Sequence, residues 1–295
     1  MRSSAAKRDG IKHAFLWPAF LVVLLISLFP LIYALTVSFQ TMRIVPPTPP
    51  RFVGVQNYAE ILQSGRFWGS MWTTTVITVL SVVLEYVLGF ALALALHHNV
   101  PGSSLYRVTF LLPMFLAPVG VALIARMIFH PYLGPVNDLM RALGLGNVPF
   151  LTEPNLAMAV LIIVEVWQWT PFVTLLMLAG LQSLPAEVFE AARVDNVPAW
   201  RRFWDITFPM LLPISVAVVF IRLIEGFKVI DTVFVLTGGG PGTATETLTL
   251  FAYNEGFKKF NIGMTSALSF TFLIVVIVFG TVYLALAQRL TRRYA

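Results

Sequence analysis

Six apolar runs, near Phe15–Phe39, Met71–Leu96, Leu105–Phe129, Leu156–Leu178, Phe208–Leu236 and Ile262–Leu286, constrain what this chain can become. Each is long enough to cross about 30 Å of hydrocarbon, which takes roughly 20 helical residues. Within a bilayer every backbone N–H and C=O must be satisfied by the protein itself, so only helices and closed barrels span it. A barrel would be written in segments of about ten residues alternating apolar and polar, whereas these runs are continuous. The expectation is an all-α polytopic membrane protein with six transmembrane helices. Composition agrees: 58% of residues are hydrophobic, 12% are charged and the mean hydropathy is +0.81.

Orientation follows from the basic residues between the runs. Arg2, Lys7, Arg8 and Lys12 precede the first run, which is too long for a signal peptide and lacks a clear cleavage site, so an uncleaved first helix is expected. With the N-terminus inside, the inner segments carry eleven Lys and Arg and the outer ones seven. That bias places both termini in the cytoplasm. The net charge of +6 then reflects topology and not a nucleic-acid partner. Zero cysteines exclude disulfides and thiolate metal sites.

No constellation for catalysis is written in the chain. HExxH and GxSxG are missing, and His13, His97, His98 and His130 are scattered near span ends. Gly238–Gly239–Gly240–Pro241–Gly242 has no Lys-Ser/Thr pair after it and falls on the outer side, so it reads as a turn and not as a phosphate loop. The remaining connections read as a proline-rich extended piece with a short helix at 41–69, an inner turn at 97–104, a short amphipathic helix around Val136–Leu143, and another in "FAYNEGFKKF". A non-enzymatic subunit without metal or cofactor is expected.

The stretch "EVFEAARVDNVPAWRRFWDITFPMLLP" breaks the apolar pattern on the inner side. Ala186–Val194 is rich in helix formers, with Glu187 in its first turn and Pro185 before it. Asp195-Asn196-Val197-Pro198 interrupts it: Asn tolerates the left-handed region, and Pro198 disfavours helix at its predecessor. Ala199–Ile206 starts a second helix leading to Pro209. A short, charged helix-turn-helix at the cytoplasmic face suits a groove on another protein.

Glu190-Ala191-Ala192, three residues, Asn196, nine residues and then Ile206-x-Phe208-Pro209 resembles the EAA loop of binding-protein-dependent ABC importer permeases, with Asn196 where the family has Gly and Phe208 where it has Leu. "LTGGGPGTATETLTLFAYNEGF" and "LGPVNDLMRALG" are similar to its carbohydrate-uptake, maltose-transporter-like branch. The resemblance implies a type I, MetI-like fold in the inner membrane of a bacterium or archaeon. It also implies a non-identical second permease, two ATPase subunits that hold ATP and Mg, an extracytoplasmic solute-binding protein, and a sugar or polyol as cargo. Glu187, Glu190, Ala191, Ala192, Asp195, Asn196, Arg201 and Arg202 would then couple the chain to its ATPase. The expected organisation is a tail at 1–13, a first helix and outer loop at 14–69, a five-helix core at 70–288 holding the coupling loop at 185–206, and a tail at 289–295.

Cargo needs polar groups inside the membrane, where ionisable side chains are costly and mark a path or a structural pair. Arg222, Glu225, Lys228 and Asp231 recur every third residue with alternating sign, starting about 21 Å along the fifth run. They pair with one another as i, i+3 neighbours or line a cavity. On the fourth run, Glu165, Gln168, Trp169 and Phe172 share a helical face, an aromatic plane beside an amide and a carboxylate, as a sugar would require. Packing against the partner permease is the alternative use of that face. Glu85 is a further buried carboxylate. Other readings of the whole are the same architecture carrying a phosphorylated polyol such as glycerol 3-phosphate, or a membrane scaffold or embedded enzyme.

Overall fold

The computed structural model describes the backbone of residues 2–97 and 103–291, and the side chains of all of these but 2–16, 103, 104, 106, 107 and 290. Most of the expected inner turn at 97–104, all the side chains of the tail at 1–13, and residues 292–295 of the other tail lie outside the described residues. In chain order the elements are α1 (Arg2–Ser38), β1 (Gln40–Arg43), β2 (Thr48–Phe52), α2 (Gln56–Gln63), α3 (Gly65–His97) and α4 (Ser103–Leu111). They continue as α5 (Pro118–Ile128), α6 (Pro135–Ala142), α7 (Pro154–Gln182), α8 (Ala186–Val194) and α9 (Ala199–Arg201). The last four are α10 (Phe208–Phe227), α11 (Asp231–Leu236), α12 (Leu248–Tyr253) and α13 (Ile262–Thr291).

Five helical segments among the described residues are long and apolar enough to span a membrane: Trp17–Ser38, Gly65–His97, Pro154–Gln182, Ala199–Phe227 and Ile262–Arg289. The third run does not form the continuous helix expected over Leu105–Phe129. Its two halves, Val108–Phe115 and Pro118–Ile128, are bent by 101°. The cause is local: Pro118 has no N–H to give and pushes its predecessor out of the helical region, and Leu116 and Ala117 are both extended, with ψ of 141° and 131°. The fifth run is interrupted as well. Its helix stops at Phe227, and Asp231 opens a new one after three residues of turn.

The chain divides into two compact units. One comprises residues 1–64 with 252–272. There the proline-rich piece forms an antiparallel hairpin, pairing Gln40 with Phe52 and Thr41 with Arg51. Asn57 on α2 locks it to the end of α1, donating to the carbonyls of Ser38 at 2.8 Å and Gln40 at 3.0 Å. A Cβ on Gly263 would lie 2.1 Å from the Gln40 carbonyl oxygen, so only glycine fits at that crossing.

The other unit, residues 65–251 with 273–295, is built around α3, α7 and α10. Lipid is as apolar as leucine, so helices in it associate by close packing and not by the hydrophobic effect. Gly89 gives that closeness to α3 and α7: a Cβ there would meet Val173 Cβ at 2.7 Å. Gly226 does the same between α10 and α3, where a Cβ would meet Thr78 Cγ2 at 2.8 Å. Phe90, Ala93, Val173, Met177, Leu181, Leu211 and Val218 fill the core between the three helices. The loop before α12 folds back on α3: Arg66 donates two bonds of 2.7 Å to the Glu246 carboxylate and covers the Phe251 ring at 4.8 Å.

Candidate functional site

Thr74, Thr78, Ser81 and Glu85 follow one another at helical spacing along α3, so a polar stripe runs down an otherwise apolar span. At its C-terminal end Glu85 is 0% exposed. Arg222, brought by α10 and 2% exposed, meets it in a bidentate pair, with Nε to Oε2 at 2.7 Å and Nη2 to Oε1 at 3.0 Å. The same Nη2 lies 4.0 Å from Glu165 Oε2 on α7. Glu165 accepts from Thr232 Oγ1 at 2.8 Å, which ties α7 to the first turn of α11. Trp169, one turn after Glu165, lays its ring 4.7 Å from the Arg222 guanidinium carbon. One guanidinium thus joins three helices through two carboxylates and an aromatic face. Planar, always charged and able to bond in a fork, Arg is the cation suited to this task.

The break after α10 opens a cavity of about 220 Å³ against this cluster. Glu165, Trp169, Arg222, Glu225, Lys228 and Asp231 line it, with Pro118, Val229, Ile230 and Thr232. Six of the eight cargo-path candidates therefore share one cavity. Gln168 and Phe172 do not line it. Gln168 is 0% exposed and its Nε2 donates at 3.1 Å to the Leu116 carbonyl, which the bend before α5 leaves without a helical partner. Its role is to satisfy that break, and Phe172 lies half-buried along α7. The charged ladder also divides. Lys228 bonds Glu225 at 2.8 Å on the exposed rim, as i, i+3 spacing implies, but Arg222 turns to Glu85 on another helix. Thr232 and Pro118 were missed, since a lone threonine and a lone proline in apolar runs carry no signal of their own. Glu85 was findable: an isolated carboxylate and an isolated arginine in different spans invite pairing.

The second candidate site is the charged helix-turn-helix of α8 and α9. α8 closes in a Schellman motif, with Val197 N–H on the Ala192 carbonyl at 2.9 Å and Asn196 N–H on that of Arg193 at 3.0 Å. The motif needs a left-handed residue, and Asn196 supplies it at φ 53°. α9 then runs through a π-helical turn, Arg202–Thr207, into α10. Phe90, Phe203, Trp204 and Phe208 stack here with ring centroids 5.0 to 6.4 Å apart, so Phe208 anchors the loop to α3. A cleft of about 620 Å³ lies between α8, α9 and the C-terminal ends of α3 and α7. Glu190 and Arg202 line it, with Phe189, Arg193 and Phe203. Glu187, Ala191, Asp195 and Arg201 are exposed away from it, and Ala192 is buried.

Long spans, a broken third span and the charged α8–α9 pair are those of a membrane permease with the type I ABC importer fold. The same fold is seen in a bacterial alginate ABC transporter solved with its pentasaccharide-bound periplasmic protein, with a TM-score of 0.85, 22% identity, and coverage of 98% of this chain and 97% of that one. Residues 85–295 match the family described as the binding-protein-dependent transport system inner membrane component, and the chain belongs to that family. A probable ABC transporter permease of Sinorhizobium fredii is 38% identical over 89% of this chain and 85% of its own length. The trehalose/maltose permease MalF of Thermococcus litoralis is 33% identical over 92% and 91%. The sulfoquinovosyl glycerol permease SmoG of Agrobacterium fabrum is 33% identical over 92% and 88%.

Proposed function

We propose that this chain is one of two membrane subunits of an ATP-driven, binding-protein-dependent importer of a carbohydrate or polyol. It lies in the cytoplasmic membrane with both termini inside. The observation that carries the reading is the cavity beside Arg222, an aromatic plane next to carboxylates and a hydroxyl in the middle of an apolar bundle. A sugar lays its C–H face on such a ring and gives its hydroxyls to such acceptors. The trehalose/maltose relative supports the same cargo class.

The α8–α9 pair is read as the piece that docks into a cleft of the ATPase, with the exposed Glu187, Glu190, Asp195 and Arg201 at the contact and the Asn196 turn holding the angle. Closing of the ATPases around ATP and Mg would move that pair and, through the Phe90–Phe208 stack, the helices lining the cavity. The chain itself holds no nucleotide in this scheme. A second reading keeps the architecture and changes the cargo to a phosphorylated polyol: one relative, 31% identical, is named for sn-glycerol 3-phosphate, and two cations reach the cavity.

The test is to delete this chain in its host and measure energy-dependent uptake over a panel of neutral sugars, polyols and glycerol 3-phosphate. The reading expects loss of one neutral sugar or polyol, restored by the wild-type chain and not by Trp169→Ala. Unchanged uptake across the panel would overturn it.

A further inference from the structure

The cations at the cavity can be followed to their partners. An anionic cargo such as a phosphate ester needs donors that are free to turn toward it, best of all a guanidinium fork. Arg222 has its side-on fork committed and its remaining N–H groups nearly closed to solvent. Its Nε and Nη2 are both taken by Glu85, its flat face is covered by Trp169, and only 2% of its surface is exposed. Lys228 is exposed, but Glu225 sits one turn before it on the same stretch of chain and holds its Nζ at 2.8 Å. Whatever approaches Lys228 also approaches that carboxylate. Asp231, exposed on the cavity wall, has no cationic partner among the described residues, and Glu165 shares with Glu85 the single charge of Arg222.

We infer that this chain's half of the path is built for uncharged or cationic hydroxylated cargo and turns anions away, because both of its cations are already held by its own carboxylates and Asp231 is left over. The inference rests on the reading of this cavity as a cargo wall. Among cargoes that relatives carry, it separates the disaccharide kind from the phosphate- or sulfonate-bearing kind. Asp231 becomes the residue that sets the sign of the cavity, and Glu85 a positioning residue that keeps Arg222 from acting as an anion receptor.

The chain has no cysteine, so a cysteine placed in the cavity is its only thiol. Val229→Cys lines the wall without touching the ion pairs. The intact transporter in nanodiscs is treated with a cationic and an anionic methanethiosulfonate of similar size, and modification is read from the mass of this chain. Relative to a free thiol, the cationic reagent is expected to react about tenfold faster or more, the scale of one poorly screened charge acting across several ångströms. The preference should shrink at high salt and in Asp231→Asn. Equal rates, or a faster anionic reagent, would overturn the inference.

A second arm asks whether added solutes protect the cysteine. Protection by a neutral sugar or polyol, and not by sn-glycerol 3-phosphate at the same concentration, supports the inference. Protection by glycerol 3-phosphate overturns it and leaves the transport reading standing. Protection by no solute in the panel removes the cargo wall itself, and the inference with it.

Discussion

Glu85 and Arg222 lie 137 positions apart in sequence and join α3 to α10 in a setting almost closed to solvent. At an effective dielectric near 20, opposite charges about 4 Å apart attract by about 4 kcal/mol. Removing one partner of such a pair leaves the other buried and uncompensated, at a cost of about 3–5 kcal/mol. The geometry predicts an asymmetry. Glu85→Leu leaves Arg222 with Glu165 at 4.0 Å and the face of Trp169, so its cost falls toward the lower figure. Arg222→Met leaves two carboxylates without a cation between them, and its cost falls toward the upper one. The double variant removes the pair and keeps apolar volume but leaves Glu165 without its cation, so its cost should fall below that of either single variant without vanishing. Thermal unfolding of the detergent-purified chain by tryptophan fluorescence reads this, because 1 kcal/mol moves a midpoint by about 2–4 °C in a domain of this size. A fall of roughly 10 °C in each single variant, larger for Arg222→Met, with part of it recovered in the double variant, is expected. Additive losses in the double variant, or unchanged single variants, would refute the claim that the pair joins the bundle.

Further outcomes follow from particular residues. Gly89→Val would drive a side chain into Val173 across the tightest crossing of α3 and α7, and should lower the yield of folded protein; a smaller variant, Gly89→Ala, should lower it less, on the scale of about 1–3 kcal/mol for overpacking, measured by fluorescence-detected size exclusion. Asn196→Gly should leave transport and stability unchanged because it adopts φ 53° freely, whereas Asn196→Val should weaken ATPase recovery in pull-downs, a β-branched residue being about 1–2 kcal/mol less at ease there. Trp169→Ala should impair uptake while the assembled complex still elutes intact; loss of assembly instead would assign the ring to packing.

The spans were legible because crossing hydrocarbon dictates length and composition, and four of the six runs became helices much as drawn. Where reading failed, the cause was direction. Hydropathy reports that Leu105–Phe129 is apolar, not that Pro118 turns it by 101°, and the carbonyl orphaned there found Gln168, 52 residues away. Spacing made Arg222 and Glu225 look like neighbours, yet a buried guanidinium takes the partner that satisfies its fork, and α3 supplied it. The Asn196 turn was readable because left-handed backbone admits few residue types. The proline-rich piece was read as extended but not as paired, since β2 itself carries Pro49 and Pro50, which cannot donate to a ladder.

What the α8–α9 pair binds decides whether this chain is coupled to an ATPase. The tagged chain is extracted gently from its native membrane, and everything that co-purifies is identified by mass spectrometry, for wild type and for Glu190→Lys. A P-loop ATPase and a second permease are expected with the wild type, and the permease without the ATPase in the variant. Recovery of the chain alone, or of the same ATPase with both forms, would contradict that coupling.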